Sequence, residues 1–389
     1  MSLYVNKLER FAQISREYSS KVLELKKHGK KVVCWYGSYV PPEIIHAAGA
    51  VQYPLFDGGE AEPAETALQY MLYTTNVQAR YQVGQYILGL NTVVRAADLI
   101  VVDSKEADSV RVGSVFEYLG LPVKYLGVPQ DWEKEIAFNY YKKALFKLKN
   151  DLEKLTGEDI TDEKLINCIK KYNQLRDLLN YIGSLRKKHP PPIGGEDFIK
   201  LNHYALRCDL DNAINNLDGI LEELKKREET FFSDNVVRIM MIGRGFAFGD
   251  YLLLSMIEES GGVVVSELLD EGILHSEKVK VNGNPIENLA ESYYKAKVPS
   301  VFFSPSFRKR WEYIVKKVNE FHVDGLIYYN LAFDCIYDHE WPIFAKKAKE
   351  LDIPFIMIES AYSFSREAVA ALRSRVEAFI EMCRGKRTK

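Results

Sequence analysis

The run Lys31-Val-Val-Cys-Trp-Tyr-Gly-Ser-Tyr-Val-Pro-Pro-Glu-Ile-Ile-His-Ala-Ala-Gly49 passes from strand through turn to helix. Lys31 to Tyr36 is a short apolar run bounded by glycine, which reads as a buried strand. Pro42 suits a first helical turn, where its missing N–H costs nothing, and so opens the helix Glu43 to Ala48. Gly49 closes it. Upstream, Leu8 to Lys27 reads as an amphipathic helix that ends at Gly29. Downstream, a helical stretch covers about Ala64 to Leu88. A strand Leu99 to Val102, a helix near Val110 to Leu119 and a strand Val123 to Leu126 follow. Strands alternating with helices imply a parallel, doubly wound sheet.

From Asp131 to Thr230 the pattern changes. Leu165, Ile166, Ile169, Tyr172, Leu175, Leu179 and Ile182 recur at steps of one helical turn. His189-Pro-Pro-Pro-Ile-Gly-Gly195 is a loop, since successive prolines cannot continue a helix, and a second helix spans about Asp197 to Arg227. Strand character returns at Val236 to Ile242, Val263 to Val265, Leu326 to Tyr329 and Phe355 to Ile358. Between and after them lie helices at Tyr251 to Glu259, Lys309 to Phe321, after Pro342, and from about Glu367. The expected fold is α/β, with two doubly wound parallel-sheet halves joined by a helical middle segment. The boundaries fall at 1–130, 131–235 and 236–389.

The halves share a pattern. Asp98-Leu-Ile-Val-Val102 and Asp324-Gly-Leu-Ile-Tyr328 each precede a polar loop, a helix and a proline-led strand. Ligands of open α/β sheets bind beyond the carboxyl ends of the strands. The loops Gly37 to Pro42, Asp103 to Ser109 and Asn330 to Asp338 therefore either line a site or are ordinary connections.

A net charge of −2 over 389 residues gives no general attraction to nucleic acid or anionic membrane. The N-terminus lacks an apolar signal-peptide core, and no stretch is long enough to span a bilayer. Five scattered cysteines form neither a disulfide framework nor a zinc knuckle, which points to a reducing compartment, the cytoplasm.

Gly243-Arg-Gly-Phe-Ala-Phe-Gly249 follows a strand, but its glycine spacing is not that of a dinucleotide fingerprint. A tight turn is favoured over a nicotinamide or flavin dinucleotide site, with Arg244 available to help hold an anion at a helix start. Ser38 follows a strand without a nucleophile elbow around it. It is either a turn serine or a polar contact to a thioester. Cys335 sits among Asp334, Asp338, His339 and Glu340, and one thiol cannot hold an iron–sulfur cluster alone. His46 reads as a packed or surface histidine.

Several segments resemble the 2-hydroxyacyl-CoA dehydratase / benzoyl-CoA reductase family. They are Ser38 to Ala50, Val323 to Tyr329 with Trp341-Pro-Ile-Phe344, and Ile353 to Glu359 followed by Leu372-Arg-Ser-Arg-Val-Glu-Ala-Phe-Ile-Glu-Met382. Their order and spacing run from about residue 30 to 383. The resemblance implies a complex of two related subunits acting on an acyl-CoA thioester. In such a complex three cysteines of a subunit hold a [4Fe-4S] cluster, and an ATP-dependent iron–sulfur activator supplies one electron, giving a ketyl radical. Dehydration and ring reduction both remain open. At the family's three cysteine positions this chain has Asn76, Ala107 (followed by Asp108) and Asp334, with Cys335 one residue beyond. The resemblance therefore implies a subunit whose cluster sits on a cysteine-bearing partner. Ser38 would be its catalytic contact, and Asn76, Ala107, Asp108 and Asp334 would shape the substrate pocket. Cys335 is the one candidate metal ligand. The alternative is a divergent ligand-binding or assembly protein of the same fold.

Overall fold

A computed structural model describes residues 3–227, 231–270, 274–363 and 365–387. The chain opens with α1 (Leu3–Lys27), β1 (Val32–Tyr36), α2 (Pro42–Ala47) and β2 (Val51–Pro54). Next come α3 (Ala61–Thr66), a 3₁₀ turn (Ala67–Gln69), α4 (Val77–Ile87), α5 (Thr92–Ala96), β3 (Leu99–Asp103), α6 (Ala107–Tyr118) and β4 (Val123–Leu126). These strands form one parallel sheet in the order β2-β1-β3-β4. Four helices follow without a strand: α7 (Glu135–Thr156), α8 (Asp162–Leu185), α9 (Gly195–Leu206) and α10 (Leu210–Lys226). The second sheet takes in β5 (Val237–Gly243), α11 (Leu252–Glu259), β6 (Gly262–Leu269), α12 (Pro285–Ala290) and a π-helical turn (Glu291–Ala296). It continues through α13 (Phe307–Phe321), β7 (Gly325–Leu331), α14 (Cys335–Glu350) and β8 (Phe355–Ser360), and α15 (Arg366–Arg387) closes the chain. Its strands are parallel in the order β6-β5-β7-β8.

Two parallel sheets match the expectation from sequence, and their common strand order gives the faint repeat a structural form. The agreement reaches single atoms. The Asp98 carboxylate accepts from the Val32 amide at 2.8 Å, and the Asp324 carboxylate accepts from the Arg238 amide at 2.6 Å. Each aspartate thus ties the chain entering β3 or β7 to the start of the neighbouring central strand. At the other end, Gly37 and Gly243 both turn the chain with positive φ (107° and 112°). A Cβ at Gly243 would lie 2.2 Å from the Tyr329 carbonyl oxygen, so only glycine fits. β1, β3, β5 and β7 are buried along their whole length, as strands covered on both faces must be.

Helices from the middle segment are tied to both halves. Arg207 grips Asp57 with two bonds of 2.8 and 2.6 Å, and the Gln52 amide donates to the Leu206 carbonyl. Buried Arg238 donates to the carbonyls of Arg186, Lys188 and Phe321, which satisfies oxygens left open where α8 and α13 end.

Several sequence boundaries need correction. The expected helix from Ala64 to Leu88 is broken between Tyr70 and Asn76. There the Asn76 side chain accepts from the amides of Gln78 and Ala79 and starts a new helix. Asp209 splits Asp197 to Arg227 in the same way, capping α10 through Asn212 N. An apolar stripe persists across such breaks, so periodicity alone hides them. Strand β2 and helix α7 are additions to the sequence reading, and α14 starts at Cys335, with Pro342 inside it. Among the described residues no helix is long and apolar enough to cross a membrane.

Candidate functional site

The carboxyl ends of the two sheets meet. Phe248 bridges to Asp57, and its amide donates to the Phe56 carbonyl at 2.9 Å. Nearby, the Val77 amide donates to the Ala332 carbonyl at 3.3 Å, which joins the start of α4 to the loop after β7.

At this seam the structure brings together Asn76, Asp108 and Asp334, which are far apart in sequence. Asn76 has its amide oxygen committed to the α4 cap, so its Nδ2 is left to donate, and it donates to Asp334 Oδ2 at 2.5 Å. The Asn76 backbone N–H donates to Asp108 Oδ2 at 3.1 Å. Arg244, held just past Gly243, completes the set. It donates to both Glu106 oxygens at 3.2 Å, lies 3.3 Å from Asp334 Oδ2, and reaches Gln78 Oε1 at 3.3 Å. Arg244, Glu106, Asn76, Gln78 and Asp334 are all buried. One guanidinium thus faces two carboxylates in a buried seam, where an unpaired charge would cost several kcal/mol. Ala107 is exposed at the first position of α6, and Cys335 is exposed at the first position of α14, its Sγ 3.8 Å from the Phe333 carbonyl. No cluster of side chains suited to a metal ion occurs among the described residues.

Ser38 belongs to a second group. Its Oγ accepts from Lys105 Nζ at 3.3 Å, and its carbonyl accepts from Lys297 Nζ at 3.4 Å. It lines a small cavity of about 30 Å³ with Trp35, His275, Tyr293 and Lys297. Lys105 and Glu106 are adjacent in the chain, so one short loop serves both groups. Below them, burial alone would raise the Asp270 carboxyl, but Arg310 and Lys105 outweigh it and hold it at about 2. His46 is spent on Tyr172, 2.8 Å away.

Sequence reasoning weighed Arg244 only as help for an anion, and it missed Glu106, Lys105, Lys297 and His275. Glu106 and Lys105 carried one signal, their place in the polar loop after β3. Lys297 and His275 carried none.

Comparison with known proteins places the chain. The sequence pattern of the 2-hydroxyglutaryl-CoA dehydratase D-component family matches residues 37–383. The chain belongs to that family. It is 27% identical over 340 residues to a benzoyl-CoA reductase subunit of Thauera aromatica, covering 85% of this chain and 86% of that one. It is also 27% identical over 382 residues to the putative dehydratase subunit YjiM of Escherichia coli K12 (96% and 97%). To the (R)-phenyllactyl-CoA dehydratase beta subunit of Clostridium sporogenes it is 23% identical over 389 residues (97% and 98%). Family membership makes this a subunit of the dehydratase and reductase type.

Proposed function

We propose that this chain is the cluster-free subunit of a heteromeric enzyme acting on an acyl-CoA thioester, paired with a related subunit that carries the iron–sulfur cluster. The relatives are named as subunits of acyl-CoA dehydratases and of a benzoyl-CoA reductase, which supports both the partner and the substrate class. The observation that carries the cluster-free role is the seam itself. Where three thiolates would be needed, the chain offers the amide of Asn76, the methyl of Ala107 and the carboxylate of Asp334. The Arg244 guanidinium is bonded into the same place. That is not the donor set of an iron–sulfur cluster, which thiolates normally hold. Cys335 supplies one exposed thiol at most.

The one-electron chemistry of the complex, fed by an ATP-dependent activator, is accordingly assigned to the partner, and no electron-transfer step to this chain. Its own contribution is polar and electrostatic. Ser38, held by Lys105, offers a hydroxyl to the thioester, while Asn76, Asp108 and Asp334 with Arg244 form a fixed wall between the halves. The test is anaerobic purification of the tagged chain from its native host, with iron counted and co-purifying proteins identified. Iron confined to a related, cysteine-bearing partner is the expected result. A solitary chain without such a partner overturns the reading.

A further inference from the structure

We propose that this chain threads an elongated, phosphate-bearing thioester through its own interior, between α8, α9, β6 and α13, with the acyl end arriving at Ser38. This rests on the acyl-CoA reading above and names the path within this subunit.

Three observations carry it. The first is adjoining space. A cavity of about 380 Å³ lies between the helical middle and the second sheet, within the range that small-molecule sites occupy. Leu274, His275 and Lys297 line it, and the same three residues line the small cavity that holds Ser38. The two spaces are therefore neighbours across one partition.

The second is the chemistry of that partition. Arg176 Nη2 lies 3.0 Å from His275 Nε2. A guanidinium only donates, so Nε2 accepts, and a neutral ring must then carry its proton on Nδ1. Burial, with the charges of Arg176 and Lys297 beside it, keeps the ring neutral by pulling its pKa well down. Arg176 is in turn fixed by Glu43 at 2.5 Å, and Glu43 also accepts from Tyr293 at 2.9 Å. Among the described residues, the His275 Nδ1–H finds no acceptor. Carbonyl oxygens, which a thioester and its amide-bearing arm both carry, are the acceptors it lacks.

The third is charge. Inside, the cavity is balanced: Arg186 is paired with Glu267 through two bonds of 2.8 Å, and Asp270 with Arg310. At the outer end Lys187 and Lys317, with side chains 46% and 22% exposed, share one carboxylate, Glu320, at 3.5 and 3.2 Å. Lys316 is 3.8 Å from the same group. Glu277 also lines the cavity, so three cations face two carboxylates, and one excess positive charge remains where a phosphate would sit.

The experiment is calorimetric titration of the full chain with acetyl-CoA and with S-acetylpantetheine, which lacks the nucleotide phosphates. K187A/K317A is expected to weaken acetyl-CoA by about ten-fold and flatten its salt dependence, with S-acetylpantetheine unaffected. S184W, a substitution on the exposed outer wall, is expected to weaken both. Unchanged thermal melting shows that the variants are folded. Equal affinity of wild type and all variants overturns the proposal. No binding by wild type, while the chain still co-purifies with an iron-bearing partner, overturns it and leaves the subunit reading standing. No binding and no partner removes both.

Discussion

Arg244 is the residue whose loss the seam tolerates least. Removing it leaves Glu106 and Asp334 buried without their cation, so Arg244→Met is expected to destabilise by about 3–5 kcal/mol, read by chemical denaturation at pH 7. Asp250 behaves in the opposite sense. Burial raises its carboxyl from 3.8 to about 6, although the Tyr329 hydroxyl bonded to it pulls downward. A pKa raised on folding adds stability below the unfolded value and loses it as pH climbs through the folded one. Between pH 4 and pH 7 wild type should therefore lose about 2 kcal/mol relative to Asp250→Asn, whose amide does not titrate. Parallel denaturation curves at the two pH values measure that difference, and a constant gap would show that folding does not raise the Asp250 pKa.

Among the elements, the strands other than β2 were legible because each is a short apolar run punctuated by glycine, proline or aspartate, as in Lys31 to Gly37. The repeat was legible for the same reason, through Asp98 and Asp324. Helix breaks at Asn76 and Asp209 were hidden under a continuous stripe of apolar residues. The seam was half legible. Asn76, Asp108 and Asp334 could be placed from the resemblance, but the pairing of Arg244 with Glu106 joins loops 138 residues apart and leaves no trace in local pattern. Glycine at the end of β5 is an element-scale requirement. Gly243→Ala forces a side chain onto a backbone with φ of 112° and against the Tyr329 carbonyl. It is expected to cost about 2–3 kcal/mol. A thermal melt indistinguishable from wild type would mean that the turn can relax.

At the scale of the whole molecule, two sheets of the same strand order face each other with their carboxyl ends, and the helical middle braces both through Arg207 and Arg238. A site at such a seam draws on both halves, which is why residues as distant as Asn76 and Asp334 touch. The proposed cluster-free role requires this seam to be an ion-paired wall rather than a cluster site. The most direct test is to incubate the purified full chain anaerobically with ferrous iron, sulfide and a thiol reductant, then desalt it and measure bound iron and visible absorption. A colourless chain that retains no cluster is expected. A brown chain retaining a complete iron–sulfur cluster would contradict it.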